Sequence, residues 1–258
     1  MKINFAKIKA FLIDLDGTLY FQGKPIAGAA DTIENLRENA CIIRFPTNTD
    51  SRTNEFLQEK LERFGFAINS SEVYTPLTAS ITFMKSQKNK TCYPLVSDEV
   101  FQEYKELTID ECTPDYVIIG DCRDKVSYVT LNNVFRMISK KTELIALQKG
   151  KFFLNEEGKN LDTGSFVSLF EYATDKKAMV LGKPNLEFFS IFLNELQLLP
   201  EEVVIIGDDI TTDIQGAKNI GAHSILLKTG KFNQKEVSDS NIHPDMILES
   251  IADLDRYI

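Results

Sequence analysis

The sequence of 258 residues has few of the features that mark metal-thiolate, disulfide or membrane proteins. Its four cysteines include no Cys-x-x-Cys pair, and neither of its two histidines, His223 and His243, stands at a zinc-ligand spacing from a cysteine. It has no run of about eighteen apolar residues that could span a bilayer, and its first ten residues lack the long apolar core of a signal peptide. We therefore expect a cytoplasmic protein with reduced thiols.

The sequence also lacks a basic patch. Its 29 Lys and Arg residues are outnumbered by 38 Asp and Glu, which leaves a formal net charge of −9 and argues against nucleic-acid or anionic-membrane partners. The densest basic stretch, residues 85–90, is short and typical of a solvated surface turn. What remains is the composition of an ordinary globular protein long enough for one large domain or two smaller ones.

Short apolar runs alternate with segments of helical periodicity near both ends of the sequence. We predict buried strands at residues 11–13, 41–45, 203–206 and 225–227. Helical spacing relates the apolar residues of three segments: Ile33, Leu36 and Ala40; Leu57, Leu61 and Phe64; and Leu186, Phe189, Leu193 and Leu196. This alternation predicts an α/β fold, a Rossmann-like doubly wound parallel sheet covered by helices on both faces.

The middle of the chain has an alternation of its own. Strands are predicted at residues 116–119 and 152–154, and Leu131, Val134 and Ile138 have helical spacing. Because core-type segments flank this region on both sides, we interpret it as an α/β insertion and not as a tandem neighbour. The predicted domains are a discontinuous core, residues 1–75 and 181–258, and an inserted domain, residues 76–180.

Four polar clusters lie just beyond predicted strands or beside a helix start. They are Asp14 and Asp16; Thr47 and Asn48; Lys183; and Asp208, Asp209 and Asp213. Open parallel sheets collect ligands at the carboxyl ends of their strands, so we expect the clusters to meet at one edge of the sheet. Two carboxylates one residue apart in an extended segment point the same way. With Asp208 they would form an all-oxygen site suited to Mg²⁺.

These residue types suit phosphoryl transfer. The Asp14 carboxylate could attack phosphorus and form an acyl phosphate, which splits one hard displacement into two easier ones. Asp16 could protonate the leaving alkoxide and later take a proton from water. The Thr47 hydroxyl, the Asn48 amide and the Lys183 ammonium could hold the phosphoryl oxygens through the transition state.

Each cluster also has a purely structural interpretation. The Asp-x-Asp-Gly-Thr segment could be a turn with an Asx cap, and Lys183 could be a solvent-facing residue at a helix start. Asp208 and Asp209 could cap the next helix, and Asp213 could be a solvated acid in its first turn. All four clusters in this order, each at a strand end or helix start, favour a reactive site.

The same residues resemble the haloacid dehalogenase superfamily of phosphatases. The resemblance lies in Asp-Leu-Asp-Gly-Thr-Leu at residues 14–19, Thr-Asn at 47–48, Gly-Lys-Pro at 182–184 and Gly-Asp-Asp-x-x-x-Asp at 207–213. The insertion resembles the larger, C2-type cap of the NagD-like subfamily. Within it, residues 131–136 and 161–166 are similar to the branch of the phospholysine phosphohistidine inorganic pyrophosphate phosphatases.

The resemblance implies a role for each matching residue. It implies that Asp14 is the nucleophile, Asp16 the general acid and base, and that Leu15, Thr47, Asn48 and Lys183 bind substrate. Mg²⁺ would be held by the Asp14 side chain, the Asp16 main-chain carbonyl and Asp208. Asp213 would orient Lys183 or a metal-bound water, and Asp209 would lie next to these residues without binding the metal directly. It further implies a small phosphorylated metabolite as substrate, and it allows for a homodimer because caps of this size often take part in dimer contacts.

Two other functions stay open at this stage. A catalytically silent regulator could keep the fold, although such proteins usually lack the acids and the lysine that are present here. The second function is a different reaction on the same scaffold, either phosphoryl transfer to a sugar or carbon–halogen hydrolysis. A further acidic motif, Gly-Asp-Cys-Arg-Asp at residues 120–124, falls within the insertion, and we expect it to lie outside the chemistry.

Overall fold

The computed structural model describes residues 3–138, 141–155 and 157–258, which form two compact units. Unit 1 consists of Met1–Thr47, Asn54–Tyr74 and Lys183–Ile258. Unit 2 consists of Asn48–Thr53 and Thr75–Gly182. The chain therefore leaves unit 1 twice, first for a short segment of six residues and then for the long middle region.

The strands and helices are numbered in chain order. The strands are β1 (Ala10–Ile13), β2 (Tyr20–Phe21), β3 (Lys24–Pro25), β4 (Ile42–Pro46), β5 (Val73–Tyr74), β6 (Cys92–Leu95), β7 (Tyr116–Ile119), β8 (Glu143–Ala146), β9 (Phe152–Asn155), β10 (Gly158–Leu161), β11 (Met179–Val180), β12 (Val203–Gly207), β13 (His223–Leu227) and β14 (Met246–Leu248). The helices are α1 (Ala29–Glu38), α2 (Asn54–Arg63), α3 (Pro76–Ser86), α4 (Asp98–Phe101), α5 (Tyr128–Met137), α6 (Thr163–Thr174), α7 (Leu186–Leu196), α8 (Gln215–Ile220) and α9 (Gln234–Asp239). A π-helical turn, Ile210–Ile214, leads into α8.

Unit 1 is built on a parallel sheet of six strands in the order β14-β13-β12-β1-β4-β5. Every residue of β1 and β12 is buried, as expected of central strands with both faces covered. Strands β4 and β5 lie on one side of β1, and the later strands β12, β13 and β14 lie on its other side. The strand order therefore reverses at β1. Such a reversal opens a crevice at the carboxyl ends of the strands, where ligands bind.

Helix α7 differs in part from the sequence prediction. Its buried side chains are Phe188, Phe189 and Phe192, whereas Leu186, predicted to lie on the buried face with Phe189, is 48% exposed. The segment is apolar on most sides, so its spacing alone does not single out one face. The three large rings bury more apolar area than the leucines would, and they determine which side of the helix faces the core.

Unit 2 has its own parallel sheet of four strands in the order β11-β8-β7-β6. Val134 of α5 and both Val167 and Phe170 of α6 are fully buried with side chains of β7 and β8. The strand predicted at residues 152–154 exists, but it pairs with β10 in an antiparallel hairpin outside that sheet. In the part of the chain that the structure describes, no helix is long and apolar enough to cross a membrane.

These observations confirm the predicted α/β fold with a parallel central sheet and flanking helices. The assignment of the two units as a catalytic core and a cap stays a prediction.

Candidate active site

The site in unit 1 begins where the two central strands end. Asp14 directly follows β1, and its main-chain N–H donates to the carbonyl of Ile206 in β12 at 2.9 Å. Asp208 directly follows Gly207, the last residue of β12. Because β1 and β12 are parallel neighbours, their carboxyl ends share one edge of the sheet and bring the two acids together. Both side chains are buried.

A third acid joins them from the π-helical turn. Oxygen atoms of Asp14, Asp208 and Asp213 all lie within 4.8 Å of one another, and we call these three residues the acid cluster. Asp213 is packed so closely that a Cβ on Gly207 would lie 2.2 Å from its carboxylate carbon. Glycine at position 207 therefore leaves the space that the carboxylate of Asp213 occupies.

Lys183 binds two members of the acid cluster. Its Nζ donates to Asp14 Oδ1 at 2.5 Å and to Asp213 Oδ1 at 2.6 Å, and its side chain is only 3% exposed. Burial by itself would lower the pKa of Lys183, but the neighbouring charges of Asp14 and Asp213 outweigh burial and raise that pKa. The lysine is therefore a fixed positive charge in contact with the predicted nucleophile.

Lys183 alone does not balance three buried carboxylates, and the more distant charge of Lys231 only partly offsets the effect of burial on Asp208. Burial, reinforced by the charges of Asp14 and Asp213, raises the pKa of Asp208 to about 8. Burial also raises the pKa of Asp213 to about 7, with the charge of Asp14 adding to the effect and Lys183 opposing it. Carboxylates in such a setting gain from a further cation, and closely spaced hard oxygen atoms are the ligands that Mg²⁺ prefers. The donor set therefore fits the predicted metal.

Asp16 lies outside the acid cluster and is exposed at the surface. Loss of part of its hydration, together with the charge of Asp14, raises its pKa. The loop that carries it is tight, because the Gly17 N–H donates to the Tyr20 carbonyl at 2.7 Å and Gly17 adopts a φ of +94°. An exposed carboxyl two residues after Asp14 has access to solvent and to a ligand at the strand ends.

The remaining predicted residues are placed as follows. Thr47 is buried directly after β4, the strand beside β1. Leu15 is fully buried in the unit 1 core, which leaves only its main chain for substrate binding. Asn48 belongs to unit 2, so its predicted contact with phosphate stays a prediction. Asp209 caps the π-helical turn by accepting the Thr211 N–H at 2.8 Å.

Comparison with known proteins identifies the family. A model of haloacid dehalogenase-like hydrolases matches residues 11–110, and a HAD-hydrolase-like model matches residues 180–254. Haloacid dehalogenase-like hydrolase domain-containing protein 2 of Mus musculus is 37% identical over 243 residues, which cover 94% of this chain and 93% of that protein. This chain belongs to the haloacid dehalogenase-like hydrolase family.

Other members of the family are similar along nearly their whole length. The phospholysine phosphohistidine inorganic pyrophosphate phosphatase of Danio rerio is 32% identical over 257 residues, 97% of this chain and 94% of that protein. Among solved structures, the 4-nitrophenylphosphatase of Thermotoga maritima has a TM-score of 0.91 and 25% identity, covering 98% of both chains. NagD from Escherichia coli K-12 has a TM-score of 0.87 at 25% identity, covering 95% of this chain and 97% of that one. The resemblance inferred from the motifs is confirmed.

This haloacid dehalogenase-like hydrolase also brings to its acid cluster a segment that the sequence interpretation missed. Residues 229–231, Thr-Gly-Lys, follow β13, and the main-chain N–H of Lys231 donates to Asp208 Oδ2 at 2.5 Å. The signal was present, because β13 ends at the same edge of the sheet as β1 and β12. The segment contains no acid and contacts Asp208 through a main-chain N–H, so from sequence it resembled an ordinary turn.

Proposed function

We propose that this hydrolase is a Mg²⁺-dependent phosphatase that cleaves phosphate monoesters of small metabolites through an aspartyl-phosphate on Asp14. One observation carries the proposal: a buried lysine, Lys183, contacts Asp14 and Asp213 within a cluster of three buried carboxylates at the strand ends. The names of the similar proteins, which include a pyrophosphate phosphatase and a 4-nitrophenylphosphatase, support phosphatase activity, and 4-nitrophenyl phosphate is a phosphate monoester.

In the first step a carboxylate oxygen of Asp14 bonds to phosphorus as the bond from phosphorus to the ester oxygen breaks. Asp16 gives its proton to the departing alkoxide. In the second step the Asp16 carboxylate takes a proton from water, whose oxygen attacks phosphorus, and the Asp14 carboxylate leaves with its electron pair. Inorganic phosphate is released, and both acids return to their starting states.

Lys183 holds the phosphoryl oxygens while charge develops on them, with Thr47 and Asn48 as further donors. Its two carboxylate partners fix the ammonium in place, so little reorganisation is needed when substrate binds. The oxygens of Asp14 and Asp208, with the Asp16 main-chain carbonyl, would hold Mg²⁺, and Asp213 would orient Lys183 or a water on the ion. Bound Mg²⁺ would offset repulsion between the carboxylates and the incoming phosphate.

The direct test is phosphate release from p-nitrophenyl phosphate by the purified protein, with Mg²⁺ and with EDTA. We expect hydrolysis with Mg²⁺, its loss in EDTA, and its recovery when excess Mg²⁺ is returned. Asp14→Asn serves as the inactive control. A pure, folded protein that hydrolyses no ester in a broad panel of phosphorylated metabolites would favour the catalytically silent regulator.

A phosphotransferase on the same scaffold is the alternative reaction. Adding sugar acceptors during turnover distinguishes it from hydrolysis. We expect all of the phosphoryl group to appear as inorganic phosphate; its transfer to an added sugar would overturn plain hydrolysis.

The location and assembly of the protein are part of the same proposal. Its four cysteines are all free, which supports a reducing compartment such as the cytoplasm. Exposed apolar side chains on two helices of unit 2, Tyr128 and Val129 of α5 with Leu169 and Tyr172 of α6, support a homodimer. Sedimentation at increasing protein concentration would test it, and a monomer at all concentrations would contradict it.

A further inference from the structure

The segment after β13, residues 229–231, contacts both the Asp14–Gly17 loop and the acid cluster. The Thr229 hydroxyl donates to the Gly17 carbonyl at 2.5 Å. Two residues on, the Lys231 N–H donates to Asp208 Oδ2. The segment therefore connects the loop after β1 to the acid that follows β12, and none of the four polar clusters described above includes it.

Two glycines approach the Asp208 carboxylate so closely that neither position has room for a side chain. A Cβ at Gly230 would lie 2.0 Å from Asp208 Oδ2 and 2.5 Å from the Gly17 Cα. A Cβ at Gly17 would lie 2.1 Å from the same Asp208 oxygen. The carboxylate of Asp208 thus lies between two glycines. Gly17 belongs to the motif at residues 14–19, whereas Gly230 lies in no motif identified from the sequence.

From these contacts we infer that Thr229, Gly230 and Lys231 are positioning residues that fix the Asp208 carboxylate for the cation. The inference rests on the proposed metal-dependent function and extends it. The N–H of Lys231 fixes the rotation of the carboxylate, Gly230 allows the close approach, and Thr229 holds the segment to the Gly17 loop. Groups that orient a metal ligand matter to affinity, since their loss typically costs about 10–100-fold in metal binding or activity.

The test is Mg²⁺ binding without substrate, measured by isothermal titration calorimetry on Gly230→Ala. We expect the Kd for Mg²⁺ to rise by about 10-fold or more, as for loss of a group that orients a ligand. The matched control is Gly65→Ala, because Gly65 also has a left-handed φ, +87°, but a Cβ added there would meet no atom within 4 Å. Gly65→Ala should bind Mg²⁺ like the wild type, which separates the effect of space at Asp208 from that of backbone strain.

A second pair of variants covers the case in which Gly230→Ala does not fold. Thr229→Val removes the hydroxyl, and Thr229→Ser keeps it. We expect weaker Mg²⁺ binding in the first and near wild-type binding in the second. The inference is overturned if the folded Gly230→Ala, or Thr229→Val in its place, binds Mg²⁺ within about twofold of the wild type, less than the loss typical of such groups.

The same experiment separates this inference from the proposed function. A wild type that binds Mg²⁺ and hydrolyses esters, with unchanged Mg²⁺ binding in the variants, defeats the inference alone. A wild type that neither binds Mg²⁺ nor hydrolyses esters defeats both.

Discussion

Buried carboxylates occur in both units of the molecule, but their neighbours differ. In unit 1, Asp14, Asp208 and Asp213 face one another, and Lys183 contacts Asp14 and Asp213. In unit 2, Asp50 is only 4% exposed, and its Oδ2 accepts the hydroxyl of Thr163 at 2.6 Å. Burial raises the pKa of Asp50 to about 7, while the hydrogen bond from Thr163 opposes the rise.

The comparison distinguishes two reasons for burying an acid. Asp50 can be accommodated by a proton and one neutral hydrogen bond, which is how a structural carboxyl is stabilised in a core. The acid cluster has three buried carboxylates and one buried lysine in contact with two of them, an arrangement that costs stability unless a cation joins it. Groups with strongly shifted pKa values concentrate at functional sites, which is why we propose a function for the acid cluster and a structural role for Asp50.

Asp14→Asn should have the largest effect. An amide is a poor nucleophile, so we expect kcat to fall by about 10⁴-fold or more, as for loss of a nucleophile elsewhere. The fold should survive, because the substitution removes one of three repelling charges. Steady-state hydrolysis of p-nitrophenyl phosphate checks the loss of activity, and the melting temperature checks that the fold survives. A rate near that of the wild type would refute the assignment of Asp14 as the nucleophile.

Lys183→Ala should lower kcat by about 10²–10³-fold, as for loss of one transition-state donor. It should also lower the melting temperature, because buried carboxylates lose their partner. Lys149→Ala is the matched control in unit 2, where Lys149 pairs with Glu171 at 2.8 Å and is 36% exposed. That variant should keep its activity. Equal losses of activity in both would remove the distinction between the units.

Asp50→Asn should have the smallest effect, one on stability alone. The folded protein binds a proton at Asp50 up to a pKa of about 7, whereas the ordinary pKa of an aspartate is 3.8. Folding then takes up a proton between these values, so the Asp50 contribution to stability falls as pH rises through that range and is least favourable above pH 7. Asparagine does not titrate and can still accept the hydroxyl of Thr163.

The melting temperature of Asp50→Asn relative to wild type, measured at pH 5 and pH 8, checks this. The melting temperature of the variant minus that of the wild type should be higher at pH 8 than at pH 5. Each kcal/mol by which ionisation of Asp50 destabilises the wild type should add about 2–4 °C to this value. Hydrolysis should be retained at both values. A difference that is the same at both pH values would mean that Asp50 is ionised in the folded protein throughout.

The sequence predicted the parts of the site that depend on local pattern. An apolar run followed by polar residues locates a strand end, and parallel strands bring their ends to one edge, so Asp14 and Asp208 could be expected to meet. The resemblance implied that Asp213 orients either Lys183 or a metal-bound water, and the structure places Asp213 in contact with Lys183.

Other features depend on packing that no short window of sequence contains. The buried face of α7 consists of three phenylalanines, although leucines of the same helix are also apolar. Spacing alone did not show which of these side chains would be buried. The contact of Gly230 with Asp208 joins positions 22 residues apart through the close approach of two loops. A glycine that gives space to a carboxylate has the same local sequence as a glycine in a turn.

The most direct test of the central claim is the detection of the covalent intermediate on Asp14. Asp16→Asn, in which hydrolysis of the intermediate is slowed, is mixed with p-nitrophenyl phosphate and Mg²⁺, quenched in acid and digested for peptide mass spectrometry. We predict one phosphoryl group on the peptide that contains Asp14, and none when Asp14→Asn is added to the same protein. A phosphoryl group on a different residue, or ester hydrolysis by the wild type with no phosphorylated Asp14 in either protein, would contradict the account.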